Sequence, residues 1–173
     1  MLKIAFSPVS LPNQNAAILT VASGQKLGAQ GAKLDKKLGG AIKRAMGASA
    51  FTGAKEQVLT IMAPAKSRLT RLVLVGIGEP AKAKATTLQR VGGAALAALG
   101  SAKEAQATLI VDDYKGLALP VADAAAQAGF GARLRSYRFD KYRTKLKPEQ
   151  KSHLKTLTVV CEGTAQARAA RSA

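Results

Sequence analysis

The sequence predicts an α/β sandwich, in which helices cover both faces of a largely buried sheet. Strand-like apolar runs alternate with segments whose apolar residues recur at helical spacing, and this alternation is typical of the class. One run, 72–75, is continuously apolar, as expected of a strand buried on both faces. Leu, Ile, Val and Phe make up 40 of the 173 residues, so the chain can bury a substantial core.

The sequence of the first half of the chain predicts four strands and one helix. Residues 2–9 and 16–22 are strand-like and are joined by a short Pro-Asn-Gln-Asn turn. From 33 to 45, apolar residues recur at helical spacing with lysines opposite, which predicts one amphipathic helix with a basic solvent face. Residues 57–63 and 68–77 are two further strands.

The second half continues the alternation. Thr86 or Thr87 is a suitable cap for a helix that runs to Leu99, and Pro120 is suited to open an Ala-rich helix that runs to about Leu134. The small side chains of these helices predict close packing against their neighbours. Two more strands are predicted, at 107–111 and 157–161. Residues 133–155 hold nine Lys or Arg against two acids, which predicts an irregular, solvent-facing excursion.

The charge makes nucleic acid a candidate partner. The chain carries a formal net charge of +17, and basic and aromatic residues are interleaved from 135 to 147, a mixture that neutralises phosphates and stacks bases. A solvated basic surface matched to an acidic partner is the alternative, because basic residues are spread over the whole chain. The candidate nucleic-acid contacts are Arg135, Arg138, Lys141, Arg143 and Lys145.

Gly76 and Gly78 form a Gly-x-Gly directly after the buried strand. Glycines at that position allow backbone N–H groups to approach a phosphate, which makes them a candidate phosphate loop. The third glycine of a dinucleotide fingerprint would fall at position 81, which is Ala81. The alternative is a tight exit from the strand that needs glycine for backbone geometry alone.

Few residues are available for catalysis or metal binding. Cys161 lies in an apolar strand and His153 lies between lysines, so neither forms a nucleophile-and-base pair. Asp112 and Asp113 follow a strand, where a turn or capping role is expected. One histidine and ten scattered acids leave little from which to build a metal site, and we expect none in this chain.

The single cysteine excludes an internal disulfide and favours a reducing compartment. The amino terminus is too briefly apolar for a signal peptide, and no run approaches the length of a membrane span. We therefore expect a cytoplasmic protein that does not interact with membranes.

Taken in order, four segments resemble the N-terminal domain of the leucyl aminopeptidase, or cytosol aminopeptidase, family. Their order and spacing agree over nearly the whole chain, and the last of them is the most specific. The segments are Leu-Asp-Lys-Lys-Leu-Gly-Gly-Ala-Ile at 34–42, Arg-Leu-Val-Leu-Val-Gly-Ile-Gly-Glu at 71–79, Leu-Gln-Arg-Val-Gly-Gly-Ala-Ala at 88–95 and Tyr-Arg-Phe-Asp-Lys-Tyr at 137–142.

The resemblance implies a three-layer α/β/α sandwich of the macro-domain-like type, with a mixed and largely buried sheet. Residues 1–163 would form the domain, and 164–173 would begin a linker helix to an absent C-terminal catalytic domain. The family's Asn-Thr-Asp-Ala-Glu-Gly-Arg signature, which belongs to that catalytic domain, has no counterpart here, so no catalytic or metal-binding residue carries over.

The resemblance also implies the properties of the parent protein. It would be a cytoplasmic hexamer that removes N-terminal residues from peptides with two divalent metals, Mn or Zn. This chain would then be a non-catalytic domain that helps to assemble the oligomer and to shape access to the active sites. A sequence-nonspecific DNA-binding module is the alternative, since some family members bind DNA. A nucleotide or ADP-ribose binder is a weaker alternative, which rests on the macro-domain likeness and the glycine loop.

Overall fold

The computed structural model describes residues 2–100, 103–141, 147 and 153–163, with 138–141 described by their backbone alone. Within these ranges six strands form one mixed sheet in the order β1-β6-β5-β2-β4-β3. All neighbouring strands are parallel except β3, which pairs antiparallel with β4. The strands are β1 Lys3–Ser7, β2 Gln14–Ala22, β3 Val58–Met62, β4 Arg68–Gly78, β5 Gln106–Ile110 and β6 Thr156–Val160.

Helices cover both faces of this sheet, which confirms the predicted α/β class. The described helices are α1 Ala29–Lys37, α2 Ala41–Gly47, α3 Ala85–Ala98 and α4 Val121–Lys141, with a 3-10 turn at Pro80–Lys82. One apolar core lies between the sheet and the α3–α4 layer, and the other lies beneath α1 and α2. Residues 72–75 of β4 are fully buried, as their continuous apolar run predicts, because alternate side chains enter the two cores.

The two Ala-rich helices pack closely through glycine, as expected from their composition. A Cβ at Gly92 of α3 would lie 1.8 Å from the Ala128 carbonyl oxygen of α4. A Cβ at Gly131 of α4 would lie 1.9 Å from the Gln89 carbonyl oxygen of α3. The two helices therefore meet backbone against backbone, at a separation that any larger residue would prevent.

The single helix predicted at 33–45 is wrong, because two helices occupy this segment. Gly39 and Gly40 have φ angles of +66° and +81°, in the left-handed region that favours glycine and ends α1. The Asp35 carboxylate then accepts hydrogen bonds from the backbone N–H groups of Ile42 (2.9 Å) and Lys43 (3.2 Å) and so caps α2. The apolar spacing continues across the break, and for this reason the periodicity did not reveal it.

Two boundaries predicted in the second half are also wrong. Residues 133–141 are helical rather than irregular, because α4 continues to Lys141 through residues that include no helix breaker after Gly131. Helix α3 begins at Ala85, so Thr87 lies inside the first turn, where its hydroxyl accepts the Lys84 N–H at 3.3 Å. The rest of the predicted excursion, apart from Lys147 and residues 153–155, lies outside the described residues, as do residues 164–173.

Candidate functional site

Five parallel strands end at the same side of the sheet, which we call its carboxyl end. Ligands of open α/β sheets often bind at this end, because the loops that follow the strands converge there. Gly76 and Gly78 lie at this end of β4, and Asp112 and Asp113 follow β5. The carboxyl end therefore holds both the glycine motif and the adjacent acids that the sequence singles out.

The glycine motif lies against the chain's own loop at 53–57. A Cβ at Gly76 would lie 1.9 Å from the Ala54 carbonyl oxygen. The N–H of Gly76 donates to the Gln57 carbonyl at 2.8 Å, and the N–H of Gly78 donates to the Gly53 carbonyl at 2.9 Å. Both N–H groups are thus bonded within the chain, so a phosphate bound here would have to compete for them.

Asp112 caps the first helix, which confirms the capping role expected for it. Its carboxylate accepts hydrogen bonds from the backbone N–H groups of Gln30 (3.1 Å) and Gly31 (2.8 Å) at the N-terminus of α1. A Cβ at Gly28 would lie 2.3 Å from the Asp112 Cβ, so glycine is needed for this approach. The Asp112 side chain therefore occupies the place where a bound anion would meet the helix N-terminus.

Burial shifts the pKa values of two side chains in the loop after β5, Asp112 and Tyr114. Burial raises the pKa of Asp112, and the Glu162 and Asp113 charges add to this effect against the lowering by its two N–H donors. Burial likewise raises the pKa of Tyr114, whose hydroxyl donates to the Thr20 carbonyl at 2.7 Å. A neutral Tyr114 thus ties the loop after β5 to β2.

The residues considered for nucleophilic catalysis do not come together. Cys161 is buried, and burial, followed by the Glu162 charge, raises the pKa of its thiol, which makes a reactive thiolate unfavourable. His153 is exposed just before β6, at the opposite side of the sheet. In the part of the chain that the structure describes, no three His, Cys, Asp or Glu residues are grouped so that they could hold a metal ion.

The side of the sheet where the parallel strands begin, its amino end, is strongly basic. Helices α3 and α4 run opposite to the parallel strands and therefore end at this side. Lys66 lies just before β4, and its Nζ is 3.0 Å from the position of a Cβ at Gly39, so α1 also ends at this side. The exposed cations on the segments that meet at this end, which we call the basic end, are Lys3, Lys36, Lys37, Lys66, Arg68, Lys103, Arg133, Arg135 and Lys155.

The described acids near the basic end are already engaged within the chain. Asp35 caps α2, and Glu104 forms an ion pair with Arg71 at 3.6 Å and accepts a hydrogen bond from the Thr70 hydroxyl. Burial raises the pKa of Glu104, but the hydrogen bonds from Thr70 and its own backbone, with the Arg71 charge, bring it below its ordinary value. The described contacts of Asp35 and Glu104 are thus made with backbone N–H groups, Thr70 and Arg71 rather than with the exposed cations of the basic end.

The structure separates the two groups of site residues that the sequence predicts. Arg135 is exposed near the end of α4 at the basic end, whereas Gly76 and Gly78 lie at the carboxyl end. Arg138 and Lys141 belong to the last turn of α4, and their side chains lie outside the described part. Arg143 and Lys145 also lie outside it.

Helix α4 carries an exposed apolar stripe that was not predicted from the sequence. Phe130, Leu134 and Tyr137 are 50, 44 and 68% exposed, and their spacing places them on one face of the helix. A signal for it exists in the sequence. Ala124, Ala128 and Gly131 recur at helical spacing and mark the side that packs against α3, which turns the large residues outward.

A protein-family model, described as the N-terminal domain of the cytosol aminopeptidase family, matches residues 18–146. This chain belongs to the cytosol aminopeptidase family. It is 33% identical over 97% of its length to a probable cytosol aminopeptidase of Afipia carboxidovorans, and 33% identical over 98% to one of Caulobacter vibrioides. Each match covers 33% of the relative, so the chain spans about a third of the length of these relatives.

Solved structures of two kinds share this fold. A mutant of tomato leucine aminopeptidase aligns with a TM-score of 0.68 at 20% identity, over 98% of this chain and 35% of that one. A Trypanosoma brucei macrodomain in complex with ADP aligns with a TM-score of 0.65 at 10% identity, over 98% of this chain and 68% of that one. These likenesses confirm the macro-domain-like α/β fold. No described helix is long and apolar enough to cross a bilayer.

Proposed function

We propose that this chain is the non-catalytic N-terminal domain of a cytoplasmic two-metal leucyl aminopeptidase, and that it contributes to hexamer assembly and to active-site access. The observation that carries the proposal is the match of the family's N-terminal domain to residues 18–146, in a chain that spans about a third of its relatives. The metals, Mn or Zn, would be held by the C-terminal domain of the parent polypeptide. The same proposal places the parent in the cytoplasm.

Peptidase assays test this division of labour. The purified chain should hydrolyse no leucine anilide or dipeptide, with or without added Mn²⁺ or Zn²⁺, because metal-assisted hydrolysis needs ligands that hold the ion and polarise the carbonyl. The parent protein should hydrolyse both substrates, lose activity on chelation and sediment as a hexamer. Metal-dependent turnover that co-elutes with the purified chain would overturn the non-catalytic role, and a monomeric active parent would overturn the assembly role.

The basic end favours a second candidate, sequence-nonspecific DNA binding. Its exposed cations are gathered from segments far apart in the chain, and two described carboxylates near it, those of Asp35 and Glu104, are bonded to other groups. Binding of this kind gains most of its free energy from released counterions, so affinity should fall steeply with salt and depend little on sequence. The basic end thus supplies what such binding needs.

Matched charge variants test the second candidate. Replacing Lys3, Arg133 and Lys155 with Gln should weaken duplex binding and flatten the slope of log affinity against log salt by about 0.9 for each lost contact. Replacing Lys26, Lys55 and Lys115, exposed cations at the carboxyl end, removes the same charge and should change the slope far less. Equal effects of the two triple variants in mobility-shift titrations would show that net charge, rather than the basic end, governs binding.

A further inference from the structure

Strand β3 forms one edge of the sheet, and its outer side has no partner in the described ranges. On its inner side, the Gln57 carbonyl accepts a hydrogen bond from β4 at 2.8 Å, and the Ala63 N–H donates one to β4 at 2.9 Å. Main-chain groups point to alternate sides along a strand, so the odd-numbered residues of this segment bond to β4. The N–H and C=O groups of Val58, Thr60 and Met62 therefore point away from the sheet.

The side chains of these three residues are exposed as well. Val58 and Met62 are 42 and 62% exposed, and Thr60 lies between them on the same face of the strand. The alternate side chains, Leu59 and Ile61, pack against the core beneath α1 and α2. One row of residues thus presents outward-pointing main-chain groups together with exposed apolar surface.

This edge lacks the features that protect sheet edges from pairing. Soluble proteins usually guard an edge strand with a lysine, a proline or a bulge. Residues 57–63 include no charged residue and no proline, in a chain of which 21% is charged. The register between β3 and β4 is regular, so no bulge turns the edge away. A strand of this kind is suited to pairing with another strand.

The sequence of the edge fits a second copy of the chain. In an antiparallel pair centred on Thr60, Val58 of each copy lies opposite Met62 of the other, and the two Thr60 residues lie opposite each other. Every exposed apolar side chain then meets another, and such cross-strand pairs are favourable. No charged residue lies on the strand, so no like charges come together within the pair.

Two other occupants fit the edge less well. Nucleic acid needs cations, and residues 57–65 supply none. A strand from the C-terminal domain of the parent would satisfy the main chain, but it would require no particular order of Val58, Thr60 and Met62. A second copy does require one, because the row must read as apolar, threonine, apolar in both directions, as it does here.

We propose that two copies of this chain pair antiparallel through β3, about a two-fold axis at Thr60. The inference deepens the assembly role proposed above, because it names a surface for that role. Both β3 edges are used in the pair, so the contact closes and does not propagate. Strands this short bury little area, so the contact is weak in the isolated chain and gains strength where further contacts hold the same copies together.

Cysteine cross-linking tests the register. Paired Thr60 residues would have Cα atoms about 5.5 Å apart, which a disulfide spans, so the Thr60→Cys variant should form a covalent dimer on mild oxidation. Val58→Cys is the matched control, because its Cα atoms would be about 14 Å apart, four residues along the strand. A mixture of Val58→Cys and Met62→Cys chains should cross-link one variant to the other. The native Cys161 is buried, and the wild type checks that it does not react.

Sedimentation equilibrium tests the pairing without cross-links. Thr60→Pro removes the central outward N–H but no bond to β4, and an edge strand tolerates proline at such a site. It should weaken dimerisation about tenfold or more, because the two central hydrogen bonds are lost. Thr60→Val keeps the N–H and should retain the dimer. Phe130→Lys, which changes the exposed stripe on α4, should have no effect, and circular dichroism should show that all variants fold.

Equal cross-linking of the Thr60→Cys and Val58→Cys variants, or a chain that stays monomeric at every concentration, would overturn the inference. Dimerisation lost in Phe130→Lys but retained in Thr60→Pro would overturn it by assigning the contact to α4. Cross-linking of the chain but not of the parent would overturn it by assigning the edge to the C-terminal domain. A hexameric parent with a monomeric chain would leave the assembly role intact, whereas a monomeric parent with a dimeric chain would overturn that role alone.

Discussion

At the residue scale, Asp112 has the clearest structural role. Its carboxylate is bonded to two backbone N–H groups of α1 and is only 4% exposed. Asp112→Ala should lower the free energy of unfolding by about 1–3 kcal/mol, because both donors lose a buried acceptor. Urea unfolding monitored by circular dichroism measures the loss. The control is the exposed neighbour, for which Asp113→Ala should stay within about 0.5 kcal/mol, and equal losses would contradict the capping role.

The carboxylates of Glu104 and Asp112 should respond to pH in opposite directions. The folded pKa of Glu104 is lowered, so its contribution to stability is present above the unfolded pKa and is lost as pH falls through the folded pKa. The folded pKa of Asp112 is raised, so ionisation costs stability as pH rises from the unfolded pKa through the folded one.

Stability measured between about pH 7 and pH 4, where carboxylates titrate, tests these signs. Acidification should shrink the advantage of the wild type over Glu104→Gln, because the charged form that Thr70 and Arg71 stabilise is lost. The same acidification should favour the wild type relative to Asp112→Asn. Parallel pH profiles for the two variants would show that at least one direction is wrong.

At the element scale, two adjacent glycines of α3 should differ in how their replacement changes stability, because only one of them lies in the close contact with α4. A Cβ at Gly92 would meet the Ala128 carbonyl oxygen at 1.8 Å, whereas a Cβ at Gly93 comes no closer than 3.9 Å to the Gly131 carbonyl oxygen. Gly92→Ala should therefore destabilise by about 1–3 kcal/mol through overpacking. Gly93→Ala should stabilise by about 0.5–1 kcal/mol through helix propensity. Thermal unfolding of both variants is the measurement, and similar shifts would contradict the close helix contact.

At the scale of the whole molecule, like charges oppose folding. The chain has 27 Lys and Arg residues against 10 Asp and Glu residues, and the basic end holds nine exposed Lys and Arg side chains. Added sodium chloride should raise the melting temperature at low ionic strength, because at 0.1 M it screens the repulsion between charges more than about 10 Å apart. Differential scanning calorimetry over a salt series measures the change. A melting temperature that falls or stays constant would contradict net repulsion in the folded state.

The types of the elements followed from local signals in the sequence. The unbroken apolar run at 72–75 is a strand buried on both faces, because strand burial depends on residues close in the chain. Asp112 is a cap, as its residue type and position after a strand predict, but only the fold shows that it caps α1, whose bonded residues Gln30 and Gly31 lie 82 and 81 positions away. The break at Gly39 was missed because the apolar spacing crosses it. Residues 133–141 were predicted to be irregular but are helical, because a high density of charged residues indicates solvent exposure and does not distinguish a helix from a loop.

The tertiary structure determined which strands and which surface side chains lie next to each other. Strands β1 and β2 follow each other in sequence but are separated by β6 and β5, so no local signal predicts their positions. Sequence analysis alone established the α/β class and the family resemblance. Only the fold brought Lys3, Arg133 and Lys155 to one end, separated them from Gly76 and Gly78, and turned Phe130 and Tyr137 outward. The physical reason is that periodicity reports one element at a time, whereas a surface is assembled from elements distant in the chain.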